Sequence, residues 1–191
     1  MLNLSSRQQT VIAVVAMVIM ALTRSHHVAG LNWLPDASTA LFFLAGFYLG
    51  PVLWFAVLLG EAALVDYAAV TWGGVSDFCV TPAYGFLIPA YAALWGAGRW
   101  YSRRHQLSWS NLPMLVAAVL VGGFVAELIS NGSFYLLAGY VTDHSWNAFA
   151  SGLFTYLPYS MQALALYVGL AALVHVAIMT SVDRDRRIHN A

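Results

Sequence analysis

Cys79 is the only cysteine in this sequence and the residue with the most specific chemistry. It stands in VSDFCVTPAYG, where Pro82 predicts the beginning of a helix, because proline is favoured in the first helical turn. The partial positive charge of a helix N-terminus favours the thiolate form of a nearby cysteine, and a thiolate is a soft metal ligand. The alternative is a small buried apolar side chain, the commoner role of a free cysteine. The spacing favours the metal ligand.

The sequence does not predict a closed zinc site. CxxC and HExxH motifs are absent, and one cysteine cannot complete a tetrahedral structural site. A metal that arrives inside its own macrocycle needs only one axial ligand from the protein. Cobalt in a corrin ring meets that requirement, so a lone Cys79 is compatible with a corrinoid ligand.

Further polar groups gather with Cys79 at one end of the predicted topology, in or beside three loops. They are His26, His27, Asn32, Asp36, Asp66, Asp77, Asp143 and His144. In a chain with 8% charged residues, such a gathering on one face predicts a binding site. It indicates capture of a ligand from that side.

Several of these groups also have a structural interpretation. Asp36 precedes a predicted helix and is expected to cap its first amide protons. His26 and His27 are neighbours, which a helix would turn about 100° apart, so they are not expected to serve one site together. Asp66 and Glu61 are separated by about 140° on one helix. We expect Asp66 to contact the ligand near the mouth and Glu61 to be hydrogen-bonded at mid-depth.

The composition is that of an integral membrane protein. Of 191 residues, 61% are hydrophobic and 8% are charged, whereas about 25% are charged in an ordinary soluble domain. Eight basic residues balance eight acidic ones, which predicts no nucleic-acid partner. Lysine is absent, which excludes a phosphate-binding P-loop lysine and a Schiff-base lysine. An ATPase that drives uphill transport would therefore be another protein.

The apolar stretches predict an all-α bundle of six transmembrane helices in a single domain, residues 1–191. A spanning helix needs about 20 apolar residues at a rise of about 1.5 Å each. The predicted spans are 10–23, 37–50, 51–70, 81–98, 112–130 and 149–180. Pro158 predicts a bend in the last span, and residues 183–191 form a short polar tail.

The arginines predict that both termini are cytoplasmic, because short cytoplasmic loops retain positive charge. With six spans, Arg7 and the arginines within 99–104 and 184–187 fall on one side, and Arg24 falls alone on the other. A cleavable signal peptide is an alternative for the first stretch, because its apolar run from Val11 to Leu22 is short. A signal peptide also enters with its N-terminus inside, so the arginines do not separate these two interpretations.

Two stretches, HHVAGLNWLPDASTALFFLAGFYLG and VSDFCVTPAYG, resemble the BtuM family of bacterial cobalamin transporters. That family is similar to the substrate-binding S-components of energy-coupling-factor (ECF) vitamin transporters. The topological likeness covers nearly the whole chain, while the specific likeness lies in the two quoted stretches.

The resemblance implies uptake of cobalamin across the bacterial inner membrane, with a binding site at the external face. It implies that Cys79 gives its sulfur to cobalt, and that bound cyanocobalamin loses its cyanide, because a soft donor weakens the bond on the opposite face. A corrin offers an apolar plane to aromatic side chains and a rim of amides to polar ones. The predicted ligand contacts are His27, Asn32, Asp66, Trp72, Asp77, Phe78 and Tyr84.

One departure concerns the partner protein. S-components that dock on a shared ECF module carry an alanine pair four residues apart in the first helix, whereas Ala13, Ala16 and Ala21 are three, five and eight apart. The sequence therefore favours solitary action in the bilayer. The alternatives are an S-component-like transporter of another small vitamin, a divalent-metal permease using His26, His27, Asp77 and His144, and a membrane-embedded acid-base enzyme.

Overall fold

The fold is described by a computed structural model over residues 4–24, 34–142 and 144–189, with residues 79 and 182–189 described by their backbone alone. This part of the chain is all-helical and contains no strand, as predicted. Its six α-helices are α1 (Ser6–Arg24), α2 (Ser38–Tyr48), α3 (Leu53–Thr71), α4 (Leu87–Ser102), α5 (Leu112–Leu137) and α6 (Trp146–His189). Short 3-10 turns at Asp77–Cys79, Pro82–Phe86 and Trp109–Asn111 lie between them.

Four of these helices are long and apolar enough to cross a membrane. They are α1, α3, α5 with the 3-10 turn that precedes it (Trp109–Leu137), and the α6 segment Trp146–Ser181. Their outward faces carry exposed aliphatic side chains, among them Leu64 at 69% exposure, Val121 at 63% and Leu173 at 70%. Water would disfavour so much exposed apolar surface, whereas hydrocarbon would not. These features fit a multi-pass membrane protein.

Helix α2 is shorter than its predicted span of 37–50 and is buried on all sides. Its 11 residues rise only about 16 Å, about half of the ~30 Å hydrocarbon layer. Phe42 and Phe43 have 0% and 1% exposure, and Ala40 has 0%. A helix that is apolar all round is a core helix, and α2 forms the centre around which the other helices pack.

Two glycines bring α2 against α4. A Cβ atom on Gly46 would lie 2.0 Å from the carbonyl oxygen of Trp95, and a Cβ on Gly98 would lie 2.0 Å from that of Phe43. Only glycine allows the two backbones to approach so closely. Gly50 lies beyond the end of α2, and a Cβ on Gly169 of α6 would meet nothing within 4 Å.

The helices alternate in direction, which gives the bundle two distinct ends. At one end Arg24, which closes α1, contacts Asp66 late in α3 and Tyr91 early in α4. At the other end the Gly50 amide, just after α2, donates to Gln9 near the start of α1. We call the first the Arg24 end and the second the arginine-rich end, because Arg7, Arg99, Arg103 and Arg104 lie there.

Several helix boundaries differ from the predicted ones. Residues 82–86 form a 3-10 turn before α4 begins at Leu87, because the Thr81 hydroxyl accepts the amide of Ala83 and starts a tighter turn. Helix α6 continues through Pro158 and includes most of the predicted tail, since it ends at His189. At the end of α2, Arg99 donates to the carbonyl oxygens of Leu49 and Gly50, which a helix terminus leaves unpaired.

Candidate functional site

A charged network lies at the Arg24 end of the bundle, and Arg24 is its centre. Its guanidinium donates two parallel hydrogen bonds of 2.7 Å to Asp66, from Nε to Oδ1 and from Nη2 to Oδ2. Its Nη1 donates to the hydroxyls of Ser38 at 2.9 Å and Tyr91 at 2.8 Å. The Arg24 side chain is only 8% exposed. A buried guanidinium requires such partners, because an unpaired buried charge is costly.

Asp36 joins this network and begins α2. Its Oδ1 accepts the amide of Ser38 at 2.8 Å and the Ser38 hydroxyl at 2.6 Å, so it satisfies a first-turn amide of α2 as expected, although the N-cap position itself is the next residue, Ala37. Its Oδ2 lies 3.8 Å from Nη1 of Arg24. Asp36 therefore adds a second carboxylate, with a side chain that is 42% exposed, beside the buried guanidinium.

Two tyrosines fix the network to α4 and the turn before it. The Tyr84 hydroxyl donates to Oδ2 of Asp66 at 2.7 Å. The Tyr91 ring stacks on Phe42 of the buried α2 with 4.1 Å between centroids. Because the core holds that ring, the hydroxyl that accepts from Arg24 has a fixed position. The network thus ties together α1, α2, α3 and α4.

A cavity of about 420 Å³ opens above the network. Its polar wall is formed by Arg24, Asp36, Asp66, Tyr84 and Tyr91. Its remaining wall is mostly apolar and comes from the end of α3, the following loop, α4 and α5, where the aromatic ring is Phe134. Small-molecule sites combine such an apolar wall with a few polar groups that fix orientation.

Cys79 lies in the backbone turn that borders this cavity. Ser76 and Val80, on either side of the turn Asp77–Cys79, both line the cavity. The side chain of Cys79 is outside the described part of the chain, so its direction stays a prediction. The sequence placed Cys79 beside a helix N-terminus, and the turn Pro82–Phe86 indeed follows three residues later.

Some of the other predicted ligand contacts line the cavity, and others lie outside it. Asp66 and Tyr84 line the cavity, as already described. Phe78 stacks on Tyr140 with 4.3 Å between centroids and tilts against Phe134, which does line the cavity. Trp72 is 78% exposed and lies edge-on to Tyr67, so it is outside the cavity.

Asp77, His27 and Asn32 complete the predicted set. Asp77 is exposed in its 3-10 turn, where its carbonyl oxygen accepts the amide of Val80. His27 and Asn32 lie outside the described residues. Within the described residues, no three His, Cys, Asp or Glu side chains are grouped as metal ligands would be.

Sequence reasoning missed that Arg24 is the centre of the site. Arg24 was placed alone at its end of the bundle, with no partner predicted for it. The available signal was the cost of a guanidinium near the membrane interior, which predicts a carboxylate partner. Spacing along the chain could not identify Asp66 as that partner, because it lies 42 positions after Arg24.

The sequence matches no known protein-family model and no curated protein.

Proposed function

We propose that this chain is a multi-pass protein of the bacterial inner membrane that takes up corrinoids of the cobalamin type. In this proposal the six helices cross or line the bilayer, with the arginine-rich end in the cytoplasm and the Arg24 end outside. The single observation that carries the proposal is the cavity that joins a charged hydrogen-bonding wall to the turn bearing Cys79.

The cavity offers both kinds of contact that a corrinoid needs. The propionamide and acetamide groups on a corrin rim donate and accept hydrogen bonds, and Asp36, Asp66 and Tyr84 supply complementary oxygens. The corrin plane is broad and apolar, which suits Phe134 and the aliphatic wall. A cavity of about 420 Å³ holds part of so large a ligand, and the remainder extends through the open mouth.

The proposed chemistry is an exchange of cobalt ligands. The lone pair of the Cys79 thiolate forms a Co–S bond on the face opposite the cyanide, where it replaces the axial base of the vitamin, which leaves with its own lone pair. The Co–C bond to cyanide then breaks heterolytically, and its electron pair leaves with the cyanide ion. Cobalt keeps its oxidation state, and no external reductant is needed. A thiolate is a strong soft donor, which weakens the bond on the opposite face of the metal.

An absorption spectrum tests the ligand and the cysteine together. Protein purified after incubation with cyanocobalamin should keep its pigment through desalting, with visible bands displaced from those of the free vitamin. Cys79→Ser should lose that displacement. The matched control, Cys79→Ser combined with Ser110→Cys, restores a thiol at the arginine-rich end and should behave like Cys79→Ser.

The opposite outcome would reject the cobalt assignment. If the wild type is colourless after desalting, or if Cys79→Ser gives the same displaced bands as the wild type, Cys79 is not the cobalt ligand.

A second candidate is favoured by the size of the cavity. A volume of about 420 Å³ lies at the lower end of the ~300–1,000 Å³ typical of small-molecule sites. An S-component-like binder of a smaller vitamin with a polar, ring-bearing structure would fit inside it completely. A colourless protein that releases an ultraviolet-absorbing heterocycle on denaturation would support this candidate over the corrinoid.

A further inference from the structure

A second cavity, also of about 420 Å³, lies at the arginine-rich end of the bundle. It is bordered by the end of α2, the end of α4, the segment 105–109, the start of α5 and the second half of α6. The core helix α2 separates it from the cavity beside Arg24. It is therefore a distinct site, and its interpretation does not depend on the proposed corrinoid function.

The wall of this cavity is apolar and aromatic. Phe43, Phe47 and Leu115 line its interior, and Trp109 lies at its edge with 88% exposure. In the described part of the chain, no arginine, aspartate or glutamate lines it. An uncharged wall disfavours a charged ligand, because a charge would lose its hydration without gaining a partner.

Two histidines line this cavity together with other uncharged polar side chains, which are Tyr48, Tyr101, Gln106, Ser108 and Thr180. The rings of His105 and His175 meet edge to face with 5.3 Å between centroids, and both line the cavity. Nδ1 of His105 lies 3.1 Å from the Tyr101 hydroxyl, and Nδ1 of His175 lies 3.2 Å from the Tyr48 hydroxyl. Each imidazole is thus held by a tyrosine on the helix beside it.

The tyrosine contact decides what His175 offers to a ligand. A phenol hydroxyl is a good donor, and a neutral imidazole nitrogen is a better acceptor than a phenol oxygen, so the pair is strongest when Tyr48 donates. Nδ1 is then the acceptor, and the proton resides on Nε2. Nε2 of His175 is buried and has no hydrogen-bond partner among the described residues. A buried donor without a partner costs free energy that a ligand with an acceptor would recover.

The second histidine keeps the cavity uncharged. His105 lies in the loop after α4, where burial and the neighbouring His175 lower its pKa from the ordinary value. His105 is therefore neutral at pH 7. The cavity presents ring faces, aliphatic groups and the uncharged polar side chains of Gln106, Ser108 and Thr180, and the unpaired N–H of His175 is buried in its wall.

We propose that this cavity binds an uncharged, lipid-soluble molecule with a planar ring and a carbonyl oxygen that accepts the Nε2 proton of His175, a class that includes the quinones. The ring stacks among the aromatic side chains, and the carbonyl gives the unpaired donor its partner. Leu112 and Val176, which line the cavity, are 48% and 44% exposed, so an apolar molecule that enters meets apolar side chains.

The probe is a fully substituted benzoquinone with a decyl chain, which cannot alkylate the cysteine. Its binding to the full-length protein in nanodiscs is measured by quenching of tryptophan fluorescence, with decylbenzene, which lacks the carbonyls, as the matched ligand. Saturable binding of the quinone is expected, and decylbenzene should bind about tenfold more weakly, the effect of one buried hydrogen bond.

Two variants test the assigned donor. His175→Phe keeps the ring but removes the N–H, and should weaken quinone binding about tenfold while leaving decylbenzene binding unchanged. His144→Phe makes the same change at an exposed residue of the Arg24 end and should bind like the wild type. Ala172→Phe, which fills the cavity, should abolish saturable binding of both probes.

The proposal is overturned by either of two results. One is quenching that rises linearly with quinone concentration and is equal in the wild type and Ala172→Phe, which would mean that the quinone only partitions into the lipid. The other is equal affinity of the wild type for the quinone and for decylbenzene, which removes the hydrogen bond from the account even if His175→Phe does not fold.

Discussion

The buried ion pair between Arg24 and Asp66 allows a direct test of how much the charged network contributes to the stability of the bundle. Arg24→Met and Asp66→Leu each remove one charge and keep an apolar side chain of comparable length or volume. The double variant removes both. Each single change leaves an orphaned partner, and the two orphans differ in exposure, with 8% for the Arg24 side chain and 28% for Asp66.

That difference sets the expected magnitudes. In Asp66→Leu the guanidinium stays buried, and its partners among the described residues are two hydroxyls and the more distant Asp36 carboxylate, 3.8 Å away. Its loss of stability should lie in the range of about 3–5 kcal/mol found for breaking buried pairs. In Arg24→Met the carboxylate reaches solvent and keeps the Tyr84 hydroxyl, so about 1–3 kcal/mol is expected. The double variant should be more stable than Asp66→Leu, because no charge is left unpaired.

The assay is reversible unfolding of the full chain in mixed micelles, followed by circular dichroism. Glu127→Gln is the control, since that carboxylate accepts a hydrogen bond within its own helix, and a change of less than about 0.5 kcal/mol is expected. Strict additivity of the two single losses in the double variant, or a greater loss for Arg24→Met than for Asp66→Leu, would refute the reasoning.

Three further predictions follow from the packing and from the loop at the arginine-rich end. Gly98→Ala should lower the free energy of unfolding by about 1–3 kcal/mol, because the new methyl group meets the Phe43 carbonyl oxygen. Gly96→Ala on the same helix is the control: its methyl group meets nothing within 4 Å, so stability should be unchanged or rise by up to about 1 kcal/mol through helix propensity. Equal melting temperatures of the two variants would contradict this prediction. Arg99→Gln should cost about 1–2 kcal/mol, measured by the same unfolding titration, since two carbonyl oxygens at the end of α2 lose their donor. Because the pKa of His105 is lowered in the folded protein, the unfolded chain binds a proton at this residue first as the pH falls, so the free energy of unfolding should decrease below about pH 6.5. Melting temperatures measured from pH 7.5 to 5 should show this loss in the wild type and less of it in His105→Phe. A stability that rises on acidification would contradict this prediction.

Much of the architecture could be predicted from local signals in the sequence. Each of the six predicted stretches contains an α-helix, because apolar runs of this length are stable in a membrane only when their backbone groups pair within the segment. The sequence also predicted that Arg24 lies apart from the other arginines. In the structure the alternating helices place Arg24 and the Arg99–Arg104 group at opposite ends of the bundle. Asp36 was predicted to bind the first amide protons of α2, and it accepts the amide of Ser38.

The composition and arrangement of the two cavities depended on contacts between distant segments. Arg24 meets Asp66, Ser38 and Tyr91 from three other helices, and His105 meets His175 across 70 residues, whereas hydropathy and spacing report only what a residue's own helix does. The sequence treated α2 as one more span, although it is the buried centre of the bundle. An apolar stretch does not reveal whether lipid or protein surrounds it, because both are equally favourable to its side chains. The amino-acid sequence by itself therefore determined the helical class, the approximate helices and the charge asymmetry. The tertiary structure decided which helix is enclosed and which polar groups meet, since these follow from packing around Gly46 and Gly98.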